Sequence, residues 1–176
     1  MLRVVIAFAL VALTACNRQP EWYRVPEQRK PMALPAAPAI SPVVNMNDPD
    51  APDHFVKDIS SGVEAATWRW TGKRPTVKIL LTKTTGLKYV IDFAIAGVTL
   101  KQTGPVTVSF FVADRLLDKA RYETEGNKHF EKPVDSDWLQ TATETEVSAE
   151  VDREFVSPED GTKLGLILTR IGFDRQ

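Results

Sequence analysis

The chain has 176 residues but only one cysteine, Cys16, and two histidines, His54 and His129. A single thiol excludes any disulfide within the chain, so the folded part must be held by its core alone. The two histidines lie far apart, without a second cysteine or a spaced carboxylate, and do not make a zinc set. Excess charge is lacking too: a formal net charge of −1 removes any global electrostatic case for nucleic acid. No apolar run approaches the ~20 residues that a spanning helix needs, and helical periodicity of apolar residues is nearly absent. Catalytic signatures are also missing. There is no nucleophile-elbow motif, and Gly72-Lys73 lacks the upstream glycine and following hydroxyl of a phosphate-binding loop. No metal, cofactor or catalytic residue is therefore expected.

What is present first is an address. Met1 with its amine and Arg3 precede an apolar run from Val4 to Leu13, the layout of a secretory signal. Leu13-Thr14-Ala15-Cys16 resembles the bacterial lipobox. That resemblance implies cleavage before Cys16, lipidation of the cysteine and attachment to a membrane through the N-terminus. Each buried CH₂ contributes about 0.8 kcal/mol, so several acyl chains hold stably where one does not. By likeness to Gram-negative lipoproteins, Asn17 implies the outer membrane, facing the periplasm or the cell surface. Residues 1–15 read as the signal peptide.

Residues 16–61 read as the lipidated cysteine and a flexible tether. Between Asn17 and Asp53 lie Pro20, Pro26, Pro31, Pro35, Pro38, Pro42, Pro49 and Pro52, eight of the 12 prolines, and no apolar period. Such a stretch is expected to support neither helix nor ladder, and its reach lies between roughly 35 and roughly 115 Å. Trp22 and Tyr23 fit interfacial anchors. The run Asn45 to Asp53 alternates oxygen ligands, but it lacks the glycine and closing glutamate of a calcium loop. It reads as an acidic, solvated end to the tether.

From residue 62 to 176 the pattern changes to short β-rich stretches divided by turn residues, one domain of roughly 115 residues. The expected fold is all-β, an antiparallel, jelly-roll-like β-sandwich of about eight strands. The strands run Val63 to Thr71, Thr76 to Lys83, Leu87 to Ala96, Val106 to Ala113, Arg115 to Tyr122, Lys128 to Val134, Thr143 to Phe155 and Lys163 to Phe173. Turn chemistry separates them, including Thr71-Gly72-Lys73-Arg74-Pro75. Alternation puts Leu87, Tyr89, Ile91, Phe93 and Ile95 on one face, with Lys88 and Asp92 opposite. The last strand has apolar residues at both parities, which suggests a central position or cover on both sides. Charged residues from Ala65 to Ile91 are all basic, and those from Glu144 to Asp160 are acidic except Arg153. Cross-strand pairing between those portions accounts for this at about 0.2 to 1 kcal/mol per pair.

Trp68-Arg69-Trp70-Thr71-Gly72, Pro133-Val134 with Trp138-Leu139, and Leu164-Gly165 with Arg170-Ile171-Gly172-Phe173 resemble β-sandwich domains of galactose-binding-like, carbohydrate-module type. The resemblance implies a fold whose loops hold sugar or another partner, and it assigns no sugar ligands residue by residue.

Trp68 and Trp70 are two apart in a strand and share a side, with Arg69 opposite. Such indoles near a basic group can stack on a sugar ring, but large aromatics in a sandwich more often serve core or inter-sheet packing. Trp138, in Asp135-Ser136-Asp137-Trp138, is either a loop anchor or a site residue. A Ser-His-Asp triad forms in space and is not decided by spacing, and carboxylate pairs serve a glycosidase only in a cleft. The expected function is a membrane-anchored, non-catalytic domain binding an extracytoplasmic ligand such as a glycan through Trp68, Arg69, Trp70 and Trp138. The alternatives are a structural or protein-interaction subunit of an envelope complex and an enzyme, which a deep cleft holding His129 together with a carboxylate would mark.

Overall fold

The computed structural model describes residues 42–175. The lipidation site at Cys16, the signal sequence and the tether as far as residue 41 lie outside the described residues. The order of elements is β1 (Val43–Asn45), β2 (Phe55–Ile59), β3 (Arg69–Ile79), β4 (Leu87–Ile95), α1 (Gly97–Thr103), β5 (Val106–Val112), β6 (Arg115–Tyr122), β7 (Gly126–Pro133), β8 (Thr145–Val151), β9 (Phe155–Val156), β10 (Lys163–Leu164) and β11 (Ile167–Arg175). Short 3-10 turns occupy Ala51–His54 and Ser136–Trp138. The body is all-β and every ladder is antiparallel.

Nine strands form one sheet along β6-β5-β8-β3-β11-β4-β7, with β1 added to β11 and β2 to β3. Strand β3 carries the sheet from one layer to the other. Its start, Arg69 and Trp70, pairs with β11, while Thr76 to Ile79 pairs with β8. Between these, Ile59 opposes Thr71 but Lys57 opposes Thr76, so Gly72-Lys73-Arg74-Pro75 form a bulge around Asp58. Asp58 adopts φ 58° and accepts the Arg74 amide at 3.0 Å. The turn expected here is thus a bend inside one strand. Residues inserted on one side of a ladder turn the strand without reversing it, and glycine and proline are tolerated there.

The layers meet face to face through aromatic rings. Phe110 of β5 stacks on Phe130 of β7 with centroids 3.7 Å apart, and Tyr89 of β4 lies 5.7 Å from Phe110. The Tyr89 hydroxyl donates to the Ser148 carbonyl at 3.2 Å, and burial pushes its pKa well above the ordinary value, keeping it a neutral donor. The ends of the path, β6 and β7, are bridged by Lys132 and Asp118 at 2.7 Å, which nearly closes the sheet into a barrel.

One further expectation is corrected. The reading of residues 16–61 as tether does not hold from Val43 onward. Val43–Asn45 is a strand on β11, Phe55–Ile59 is a strand on β3, and Met46 and Ala51 are buried in the core. The prolines there are compatible with order because each sits where no ladder donor is needed. Pro42 contributes only its carbonyl, to the Phe173 amide at 2.7 Å, and Pro52 opens a 3-10 turn. Strand β11 is central, between β3 and β4, as its apolar residues at both parities suggested. Its register shifts between Leu168 and Arg170, and that bulge at Thr169 reverses the alternation, so Leu168, Ile171 and Phe173 all oppose inward residues of β4. Gly172 has φ 154°, and a Cβ there would lie 2.3 Å from the Pro42 carbonyl, so glycine lets β1 lie against β11. Helix α1 was not expected; it ends at Gly104, whose φ of 71° stops it.

Candidate functional site

Residues directly opposed on neighbouring strands share a face, so the ladders fix what the outer surface of β11, β4 and β7 presents. One row reads Arg170, Asp92, His129, because Arg170 opposes Asp92 and Asp92 opposes His129. The next reads Trp70, Ile167, Ala94, Asn127. Strand alternation forces this outward set, because Phe93 and Ile91, on either side of Asp92, are buried in the core.

Trp68 precedes β3, held by an isolated bridge to Glu64, and meets Trp70 edge-on at 5.6 Å. The two indoles share the outer side, as expected, and both are partly exposed. Trp68 forms one wall of an open recess of about 540 Å³ whose lining includes Thr67, Asp92, Asn127, His129 and Thr169.

From Asp92 and His129 in the lining a chain of charges extends along the outer face of the three strands. Arg170 Nε donates to Asp92 Oδ2, His129 Nδ1 lies 2.5 Å from Asp92 Oδ1, His129 Nε2 lies 3.4 Å from Glu131 Oε2, and Lys88 Nζ donates to the same Glu131 oxygen at 2.6 Å. Burial pushes the Asp92 carboxyl upward, but the hydrogen bonds and charges of His129 and Arg170 outweigh it and hold the pKa below the usual carboxylate value. The hydrogen bond from Lys88, then that from His129, holds Glu131 low as well. Both imidazole nitrogens thus face carboxylates. A triad needs one of them against a hydroxyl nucleophile, and His129 has a carboxylate in that place. Among the described residues no group of three or more potential ligands could hold a metal.

Of the four residues singled out from the sequence, Trp68 lines the recess and Trp70 supports it. Arg69 does neither. It is 3% exposed and its guanidinium donates to the carbonyls of Met46 at 2.8 Å, of Ser60 at 3.2 Å and of Ser61, with the Phe55 ring 5.1 Å away. It clips the N-terminal segment to the body, because a buried guanidinium needs several acceptors at once. Trp138 is also elsewhere. It ends a 3-10 turn capped by Asp135, packs against the core and lies 5.5 Å from the Arg115 guanidinium. Asp92 and Asn127 were not singled out from the sequence, and His129 only with a carboxylate in an enzyme's cleft; here it stands beside Asp92 in an open recess. Alternation put Asp92 on the polar face, but the register that brings His129 beside it joins positions 37 apart in the chain.

The chain has no significant match among protein-family models, curated proteins or solved structures.

Proposed function

We propose that the chain is a lipid-anchored extracytoplasmic protein whose all-β body binds a glycan, without catalysis, on the outer face of β11, β4 and β7. The observation that carries this is the Trp68 indole rising beside a floor of short polar groups in an open recess of about 540 Å³. An aromatic face covers the apolar side of a sugar ring while polar neighbours fix its hydroxyls. The anchor rests on the Leu13 to Cys16 motif, and attachment at the outer membrane rests on Asn17.

Glycan arrays and calorimetry with the full chain test the ligand. Binding is expected for the wild type and for Trp138→Ala, and loss of at least about tenfold, or ~1.4 kcal/mol, for Trp68→Ala. Equal binding by Trp68→Ala and wild type removes the recess from the account. Labelled palmitate is expected on the wild type and not on Cys16→Ser; no label on either removes the anchor.

A second reading, a structural subunit of an envelope assembly, draws on β6 and β7. Each pairs on one side only, and β6 leaves Leu116 45% exposed. A partner strand added to such an edge gains main-chain hydrogen bonds. Crosslinking that captures a stoichiometric protein, with no glycan bound, favours this reading.

A further inference from the structure

We infer that the ligand of the recess is a neutral saccharide, with Asn127 reading its hydroxyls beside the Trp68 ring. This rests on the glycan reading above and narrows it to a chemical class. Two observations carry it.

The first is charge compensation. Arg170 is held by Asp92, Asp92 also by His129, and Glu131 is shared by His129 and Lys88. A carboxylate or sulfate on the ligand reaching for Arg170 or Lys88 has to displace a protein carboxylate already hydrogen-bonded there. One ion pair is then exchanged for another, and a displaced carboxylate is left without its cation. A cationic sugar reaching for Asp92 or Glu131 meets the same obstacle from the other side. Lys128, the other cation of the lining, has no carboxylate partner among the described residues and donates to the Thr124 hydroxyl at 2.9 Å and the Glu125 carbonyl at 3.1 Å. A ligand anion thus meets there one ammonium already shared between two neutral acceptors, while Asp92 and His129 are paired.

The second is a pair of uncommitted neutral groups. Asn127 is exposed, stands in the outward row with Ala94 and lines the recess. Its amide makes no hydrogen bond among the described residues, so two donors and a carbonyl acceptor are available together. Adjacent sugar hydroxyls, each both donor and acceptor, match that set. The Thr169 hydroxyl, at the β11 bulge, is likewise without a hydrogen bond among the described residues and lines the same recess.

The test is calorimetry of the full chain against cellohexaose, maltohexaose and chitohexaose on one side and oligogalacturonate on the other, at about 50 and about 300 mM salt, where screening of exposed charges differs strongly. The expected result is binding of at least one neutral hexasaccharide with affinity unchanged within about twofold by salt. Asn127→Ala is expected to weaken it about tenfold, as for a lost hydrogen-bond pair, with thermal unfolding unchanged because the side chain is exposed. Tighter binding of oligogalacturonate, or affinity that falls with salt, overturns the neutral class and leaves the glycan reading standing. Undiminished neutral binding by Asn127→Ala overturns the role of Asn127. If no saccharide of either kind binds, the glycan reading falls and this inference with it.

Discussion

The outer faces of the two layers carry similar charges and come to different ends. Over β3 and β8, Lys73 meets Glu150 at 3.8 Å and Lys78 meets Glu144 at 3.2 Å. Arg74 reaches Asp114 and Ser148 while its guanidinium lies 4.3 Å from the Phe111 ring centroid. Over β11, β4 and β7 Arg170, Asp92, His129, Glu131 and Lys88 are paired as well, while Lys128 bonds only neutral acceptors, and there a recess opens. The difference is in side-chain size and in what stands beside the sheet. Asp92, Ala94 and Asn127 are short, and Trp68 rises at the margin where the chain enters β3. Paired charge keeps both faces solvated and in register, and the indole and the short row shape one of them into a recess.

The largest expected effect comes from the ring that both layers share. Phe110→Ala removes the stack on Phe130 and the contact with Tyr89, and a cost of about 3–5 kcal/mol is expected from the cavity. Urea unfolding followed by tryptophan fluorescence and by circular dichroism should give coincident transitions at a lower midpoint. Separate transitions for the two signals would mean that the layers, and so their faces, are independent units. Next is Arg69→Met, which leaves the carbonyls of Met46, Ser60 and Ser61 without their donor and is expected to cost about 2–4 kcal/mol. Hydrogen exchange should speed at the amides of Met46 and Ser60 first, while β5 and β8 stay protected. Uniform loss across the chain would show that Arg69 holds more than the N-terminal segment.

The smallest effects separate the two faces themselves. Asp92→Asn is expected to cost about 1 kcal/mol at neutral pH, since Asp92 bonds two partners, and Lys78→Gln no more than about 0.5 kcal/mol. The Asp92 carboxyl is held below its ordinary pKa in the folded state. Its contribution is therefore complete above the unfolded carboxylate value near ~4 and fades as the pH falls through the depressed folded value. Urea midpoints of wild type and Asp92→Asn should converge in acid. Curves that stay parallel to the lowest accessible pH would assign the cost to packing instead of charge.

Where one face of a strand is buried, alternation made the element legible. Leu87 to Ile95, Val106 to Val112 and Arg115 to Tyr122 are strands at or within a residue of their expected bounds, and Tyr89, Ile91 and Phe93 are core. Local signals failed where one residue type serves two geometries. Gly72 and Pro75 mark a bend in β3 as readily as a turn, and only pairing with Asp58 decides between them. Pro42, Pro49 and Pro52 looked like a tether because proline density hides a three-residue strand beside them. The candidate site was half visible. Two indoles on one face follow from spacing two, but Asp92, Asn127 and His129 are joined by ladders between distant segments, and Arg69 proved to be a clip because its acceptors come from the N-terminal stretch.

That stretch also decides where the molecule can be shortened. A cut at residue 62, which composition alone invites, would strip β1 and β2, lift Met46 and Ala51 out of the interior and bare one edge of β11 from Arg170 to Gly172. A protease acting ahead of Pro42 would leave the body intact; one acting between Asn45 and Phe55 would leave a nicked fold whose detached piece carries β1 alone. The smallest autonomous fragment therefore begins at or before Pro42.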